Sequence, residues 1–74
     1  MDMYQVWNNS GNGDVLIEKS GDRKRAMKQA RATSGFTMVV IGDAADCDVP
    51  HGKPIIAEFV DGRKTYEAIY GGIA

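Results

Sequence analysis

The sequence contains a single cysteine, Cys47, so the chain cannot form an internal disulfide. A lone cysteine also excludes metal clips built on two or more thiolates, which together with disulfides stabilise many small secreted domains. No run of about 18 apolar residues occurs, and residues 1–5 lack the basic start and apolar stretch of a secretory leader. We therefore expect an unprocessed cytoplasmic protein that does not contact a membrane.

The rest of the composition is ordinary for a globular protein. Of the 74 residues, 43% are hydrophobic and 26% are charged, which is outside the range of disordered chains. A chain this short buries only about 60% of the surface that its unfolded form exposes, so its core is thin. We predict a single domain over residues 1–74, of which residues 71–74 form a frayed tail.

Most of the chain has the residue pattern of strands, interrupted by one segment with the pattern of a helix. Turn-forming residues separate the first two strand segments, and Asp61-Gly62, a strong signal for a tight hairpin turn, separates the last two. The third segment is an unbroken apolar run, which is typical of a central strand covered on both faces. The five predicted strands are residues 4–7, 15–19, 36–41, 54–60 and 63–70.

The predicted helix covers residues 22–34. Ser20 or Asp22 can cap its start, and Gly35 stands where a left-handed C-terminal cap would fall. The order of elements predicts an α+β domain, β-β-α-β-β-β, in which one helix packs on an antiparallel sheet. The apolar side of the helix has small residues that allow a close approach to the sheet, and it consists of Ala26, Met27, Ala30 and Thr33.

The helix also carries most of the positive charge. Segment 19–31 has a formal charge of +5, which leaves −6 for the rest of a chain whose net charge is −1. Such a molecule is a charge dipole, and we interpret the basic side of the helix as the surface that contacts a partner. A solvated face without a partner is the alternative, because lysine and arginine are good helix formers. The predicted contact residues are Arg23, Lys24, Arg25, Lys28 and Arg31.

A second candidate surface follows from the register of the last hairpin. A two-residue turn fixes which residues share a face of the sheet. With Ala57 and Phe59 on the side of the helix, alternation places Ile56, Val60 and Ile69 on the other side. We predict that these three residues form an exposed apolar strip that mediates docking of a partner or self-association into a homodimer.

Residues 42–53 combine several side chains that bind metals or act in catalysis. The spacing does not match a calcium-binding loop, and zinc would need a further strong ligand, so we expect a solvated acidic loop without a metal. Cys47 and His51 would act as nucleophile and base only in a concave pocket with an orienting group, which a thin domain rarely provides. We therefore expect neither enzymatic activity nor a cofactor. The metal-ligand candidates are Asp43, Asp46, Cys47, Asp48 and His51.

Nucleic-acid binding is a second interpretation of the basic helix. Clustered cations suit phosphates, and aromatic side chains stack on bases if they are exposed on an open sheet. The pI of about 5.6 and the nine acidic residues outside the helical segment count against this interpretation. The aromatic candidates for stacking are Tyr4, Trp7, Phe59, Tyr66 and Tyr70.

A short hairpin, an alanine-rich basic helix at residues 24–31, an apolar strand at residues 37–41 and a closing Asp-Gly hairpin follow one another in this chain. In size and layout, over most of its length, the chain resembles several small phage-encoded anti-CRISPR proteins. The resemblance implies a stoichiometric inhibitor that occupies a nucleic-acid-binding or subunit-docking surface of a bacterial defence complex, without turnover.

Overall fold

Five strands and one helix follow one another in the order β-β-α-β-β-β in a computed structural model, which describes residues 1–69. The helix packs on one face of an antiparallel five-stranded sheet, which confirms the predicted α+β fold. The tail predicted at residues 71–74 lies outside the described residues. The elements are β1 (Asp2–Asn9), β2 (Asp14–Ser20), α1 (Arg23–Arg31), β3 (Phe36–Asp43), β4 (Ile55–Val60) and β5 (Arg63–Glu67).

The strands lie in the order β2-β1-β3-β4-β5, so the apolar strand β3 is the central strand, as predicted. It pairs with β1 along its whole length, from Asp2 opposite Asp43 to Asn9 opposite Phe36. Strands β2 and β5 form the two edges. The helix connects β2 to β3 and therefore crosses over β1, which lies between them.

The core lies between α1 and the sheet. Ala26, Met27 and Ala30 are buried on the helix side, as the spacing of these residues predicts. Because two of the three are alanines, the helix can lie close to the strands. The sheet contributes large and β-branched residues to this core, namely Tyr4, Val6, Val39, Ile56, Ala57 and Phe59.

The face of the sheet opposite to α1 is covered in part by the segment between β3 and β4, residues 44–54. Gln5 and Val40 face each other across β1 and β3, point away from α1 by alternation along their strands, and are fully buried. The Nε2 atom of Gln5 donates to the backbone carbonyls of Asp43 (3.1 Å) and Asp46 (3.0 Å). The central strand is thus covered on both faces, as predicted, although the sequence did not indicate which segment covers it.

Two lysines help to hold this segment in place, one from the sheet and one from the segment itself. Lys19 of β2 donates to the carbonyl of Ala44 (3.1 Å), and Lys53 lies 3.4 Å from the carboxylate of Asp46. The side chain of Lys53 is only 9% exposed, and its aliphatic part lies over Gly42. A Cβ atom at Gly42 would come within 2.5 Å of the Cε atom of Lys53, so any larger residue here would have to displace that side chain.

A bulge changes the predicted register of the last hairpin. Phe59 lies opposite Lys64, as predicted, but Glu58 lies opposite Tyr66, which leaves Thr65 as an extra residue in β5. An extra residue interrupts the alternation of side chains beyond that point. The turn signal in the sequence therefore predicted the pairs next to the turn and not those beyond the bulge.

A second bulge makes the prediction of an exposed Ile56 wrong. Ala57 lies opposite Val39 and Ile55 lies opposite Val40, so Ile56 is an extra residue in β4. Because alternation is interrupted there, Ile56 and Ala57 both belong to the core under α1, and Ile56 is only 2% exposed. Ile55 is the exposed isoleucine instead.

The helix begins as predicted and ends earlier. Asp22 is its N-cap, and α1 ends at Arg31, three residues before the predicted end. Gly35 has a left-handed φ of 78° but lies too far along the chain to cap the helix. Its N–H donates to the carboxylate of Asp61 (2.8 Å), and its carbonyl accepts from the N–H of Asp61 (3.0 Å). Gly35 thus joins the start of β3 to the turn between β4 and β5.

Candidate functional site

The five basic residues of α1 lie on the side of the helix that faces away from the core. Ala26, Met27 and Ala30 take up the side toward the sheet, and the helical period turns the remaining positions outward. The five cations nevertheless differ in their surroundings, because some reach carboxylates on the neighbouring strands. These differences decide which of them are available to a partner.

Arg23 is held by the edge strand β5. Its guanidinium lies 3.0 Å from the carboxylate of Glu67 and also donates to the carbonyl of Ala68 (3.5 Å). Lys64 forms a second ion pair with Glu67, so that this carboxylate bridges two cations. The hydrogen bonds from Lys64 and then from Arg23 lower the pKa of Glu67 below its ordinary value.

Arg25 is held by the other edge strand, β2. Its Nε atom lies 3.1 Å from Oε1 of Glu18, a carboxylate whose side chain is 19% exposed. The second oxygen of Glu18 is buried and accepts no hydrogen bond from residues 1–69. Arg25 is thus the main neutralising group for a partly buried acid.

Arg31 has an aromatic partner instead of a carboxylate. Its guanidinium carbon lies 5.9 Å from the centre of the Phe59 ring, within the distance of a cation–π contact. Such a contact orients the side chain without neutralising its charge. Arg31 is therefore exposed, oriented and still able to pair with an anion.

Lys24 and Lys28 have neither an acidic nor an aromatic partner within residues 1–69. Both are exposed, and they stand one helical turn apart, about 6 Å along the axis. Together with Arg31 they form the part of the basic side whose charge no carboxylate within residues 1–69 neutralises. We call Lys24, Lys28 and Arg31 the free cation row.

A groove lies on each side of this row. The α1/β5 groove has a volume of about 580 Å³ and is lined by Arg23, Lys24, Met27, Lys28, Arg31 and Glu67. The α1/β2 groove has a volume of about 490 Å³ and is lined by Glu18, Asp22, Lys24, Arg25, Lys28, Gln29 and Ala32. Lys24 and Lys28 form the ridge that both grooves share.

Of the predicted apolar strip, the structure leaves two members on the surface. Val60 is 45% exposed and Ile69 is 98% exposed, whereas Ile56 is in the core. Ile55 and Tyr66 are the other large hydrophobic side chains that the last hairpin exposes. Self-association through the strip stays a prediction. Because the bulge buries Ile56, only Val60 and Ile69 of the predicted strip are available for it.

The acidic segment has structural contacts rather than convergent ligands. Within residues 1–69, no group of three or more His, Cys, Asp or Glu side chains is arranged to hold a metal ion. The thiol of Cys47 donates to the carbonyl of Ala44 (3.3 Å) and not to His51, which is exposed. The N–H of Ala45, and then the amino-terminal ammonium, lower the pKa of Asp43 by hydrogen bonding to its carboxylate.

Sequence reasoning found the cations of α1 but not the acids that pair with them. Glu67 lies 44 positions after Arg23. Glu18 is nearer to Arg25 in sequence, but only the crossing of α1 over the strands brings the two together. No spacing rule connects residues on different elements at such separations, so nothing in the sequence indicated that two of the five arginine and lysine side chains are already paired.

Comparison of the chain with protein families, with characterised proteins and with solved structures gives no significant match. Among residues 1–69, no helix has the length and apolar character needed to cross a membrane.

Proposed function

We propose that the protein is a non-catalytic binding protein that presents the basic side of α1 to an acidic surface of a partner macromolecule. The observation that carries the proposal is the free cation row, in which Lys24 and Lys28 are exposed and have no acidic partner among the described residues. The neighbouring arginines Arg23 and Arg25 are paired within the molecule and help to fix the helix in place. A fixed row of unpaired cations favours rapid and specific association with a complementary negative surface.

The layout of the chain supports a more specific role, that of a stoichiometric inhibitor of a bacterial defence complex. An inhibitor of this kind needs a rigid surface that competes for a nucleic-acid-binding or subunit-docking site. A helix fixed on a five-stranded sheet, with its cations facing outward, meets that need. The proposed partner is therefore a protein within such a complex.

Direct binding of nucleic acid is the second candidate, favoured by the spacing of Lys24 and Lys28 along one helical face. Most of the aromatic residues that would stack on bases do not support it. Tyr4, Trp7 and Phe59 are buried, and Tyr66 lies opposite Glu58 on the last hairpin, away from the helix. Tyr70 lies outside the described residues.

The inhibitor role is tested by expressing the protein in bacteria with active CRISPR immunity of several types and infecting them with a targeted phage. We expect the wild type to raise plating efficiency against at least one type of immunity. The Lys24→Glu/Lys28→Glu variant should lose this effect, because two glutamates on the ridge of the basic side would repel an acidic partner. The Arg63→Glu variant is the control, because it reverses a charge on an exposed residue of β5 that lies off the helix.

Failure of the wild type against every type of immunity would contradict the inhibitor role. Equal protection by the wild type and the Lys24→Glu/Lys28→Glu variant would contradict the assignment of the contact to α1.

A further inference from the structure

The α1/β5 groove combines an apolar lining with cations at its rim. The aliphatic parts of the arginine and lysine side chains supply most of its accessible lining, above the buried Met27. Its volume of about 580 Å³ is within the usual range for sites that bind small groups or side chains. An apolar lining of this kind suits an aliphatic side chain of a partner.

The charge of this groove favours an anionic occupant. Four of the six lining residues are cations, and the one acid, Glu67, is already neutralised by Arg23 and Lys64. The free cation row borders the groove along its helical side. An apolar group that enters the groove next to carboxylates would therefore meet complementary charge on that side.

The α1/β2 groove lacks this complementarity. It contains Glu18 and Asp22 beside its cations, and one oxygen of Glu18 is buried without a hydrogen-bond donor from the described residues. Its three cations face two acids, whereas four cations face one acid in the α1/β5 groove, so a carboxylate is attracted less strongly there. The two grooves therefore differ in their expected occupants, although they share Lys24 and Lys28.

The same groove is less suited to nucleic acid. Recognition of single strands relies on exposed aromatic surfaces for base stacking, and the aromatic residues beneath α1, Tyr4 and Phe59, are buried. Contacts to duplex phosphates are electrostatic and make no use of an apolar lining. A peptide that carries both carboxylates and an aliphatic side chain uses both properties of the groove.

We infer that the α1/β5 groove binds an acidic peptide segment of the partner, with an aliphatic side chain in the groove and carboxylates on the free cation row. Lys24 and Lys28 stand about 6 Å apart along the helix axis. The inference rests on the proposed function and names the partner chemistry of the same site.

The test uses fluorescence anisotropy with a labelled, blocked heptapeptide in which glutamates flank one central leucine. The same peptide with serine in place of leucine measures the contribution of the apolar lining, and an oligothymidylate of equal charge measures binding by charge alone. Two matched variants distinguish the grooves, because both remove one exposed arginine of α1. Arg31→Gln alters only the α1/β5 groove, and Arg25→Gln alters only the α1/β2 groove.

We expect the leucine peptide to bind more tightly than the serine peptide and the oligothymidylate. Arg31→Gln should weaken binding of the leucine peptide by up to about fivefold, the upper end of the range for loss of one exposed ion pair, and Arg25→Gln should not weaken it. Equal binding of the two peptides, tighter binding of the oligothymidylate, loss of affinity in Arg25→Gln alone, or no binding of either peptide would overturn the inference.

The Lys24→Glu/Lys28→Glu variant separates this inference from the proposed function. If that variant loses affinity for all the anionic probes while the leucine peptide shows no preference, the basic side of α1 binds anions but the peptide assignment is wrong. If the variant binds every probe as tightly as the wild type, the proposed function fails as well.

Discussion

Arg23 and Arg25 are paired with carboxylates of β5 and β2, whereas Lys24, which lies between them in the sequence, has no acidic partner within residues 1–69. The two kinds of cation have different roles. The paired arginines connect the helix to both edges of the sheet, and the unpaired lysines extend from it. A substitution of Arg23 or Arg25 therefore also breaks an ion pair with the sheet, so its effect on binding is read beside a measurement of its stability.

The ion pairs of Glu67 predict a pH dependence of stability. Hydrogen bonds from Lys64 and Arg23 lower the pKa of Glu67, so the folded state holds its proton less tightly than the unfolded state does. A carboxylate whose pKa is lowered by folding stabilises the protein fully at pH values above its pKa in the unfolded chain, about 4. This contribution is lost as the pH falls from there through the lower pKa of the folded state. We expect the free energy of unfolding, measured with urea, to decrease as the pH falls below about 4. In Glu67→Gln this decrease should be less steep. Identical pH profiles for the two proteins would contradict this account.

Gly42 is the residue on which the close approach of Lys53 depends. We expect Gly42→Ala to lower the free energy of unfolding by about 1 to 3 kcal/mol, because the added Cβ atom overlaps side chains of Lys53 and Gln5 that are held in place. Gly21→Ala is the control, since a Cβ atom at Gly21 meets nothing within 4 Å. Chemical denaturation of both variants measures the difference. Equal stability of the two would mean that Lys53 moves aside at no cost.

At the scale of elements, β4 is the strand in which sequence and structure differ most. Its pairing with β3 contains a bulge at Ile56, and its pairing with β5 contains another at Thr65. These bulges place Ile56 in the core and leave Ile55 exposed. The identity of the buried isoleucine thus depends on the bulges and not on the turn.

Alanine substitution of the two isoleucines tests this arrangement. We expect Ile56→Ala to cost about 2 to 5 kcal/mol, the range for a buried isoleucine that leaves a cavity. Ile55→Ala should cost far less, because its side chain is 39% exposed. Urea denaturation of the pair measures both values. A larger loss of stability in Ile55→Ala than in Ile56→Ala would contradict the bulge and favour the unbroken register that the sequence predicts.

Local patterns in the sequence predicted most of the elements and missed the contacts between distant ones. The N-cap at Asp22, the central strand β3 and the Asp61-Gly62 turn depend on neighbouring residues, and the structure confirms them. The bulge at Ile56 and the ion pair of Arg23 depend on how separate elements meet. The free cation row could be recognised only after those pairs were known.

At the scale of the whole molecule, the two faces of the sheet have different coverings. One face carries α1 and its cations, and the other is partly covered by the acidic segment between β3 and β4. The charge separation that the sequence indicates is thus a separation between elements. An acidic partner would be attracted to the cations of the helix that have no acidic partner within residues 1–69.

The central claim is that the free cation row on α1 is the contact surface. The most direct measurement is quantitative capture from a bacterial lysate by three immobilised proteins, the wild type, Lys28→Glu and Arg63→Glu. The two variants change the net charge equally, and both exposed side chains lack an acidic partner among residues 1–69. We expect the same protein partners on the wild type and Arg63→Glu, in amounts that fall as salt is added, and a loss of those partners on Lys28→Glu. Retention of the same partners by Lys28→Glu, with unchanged salt dependence, would contradict the account.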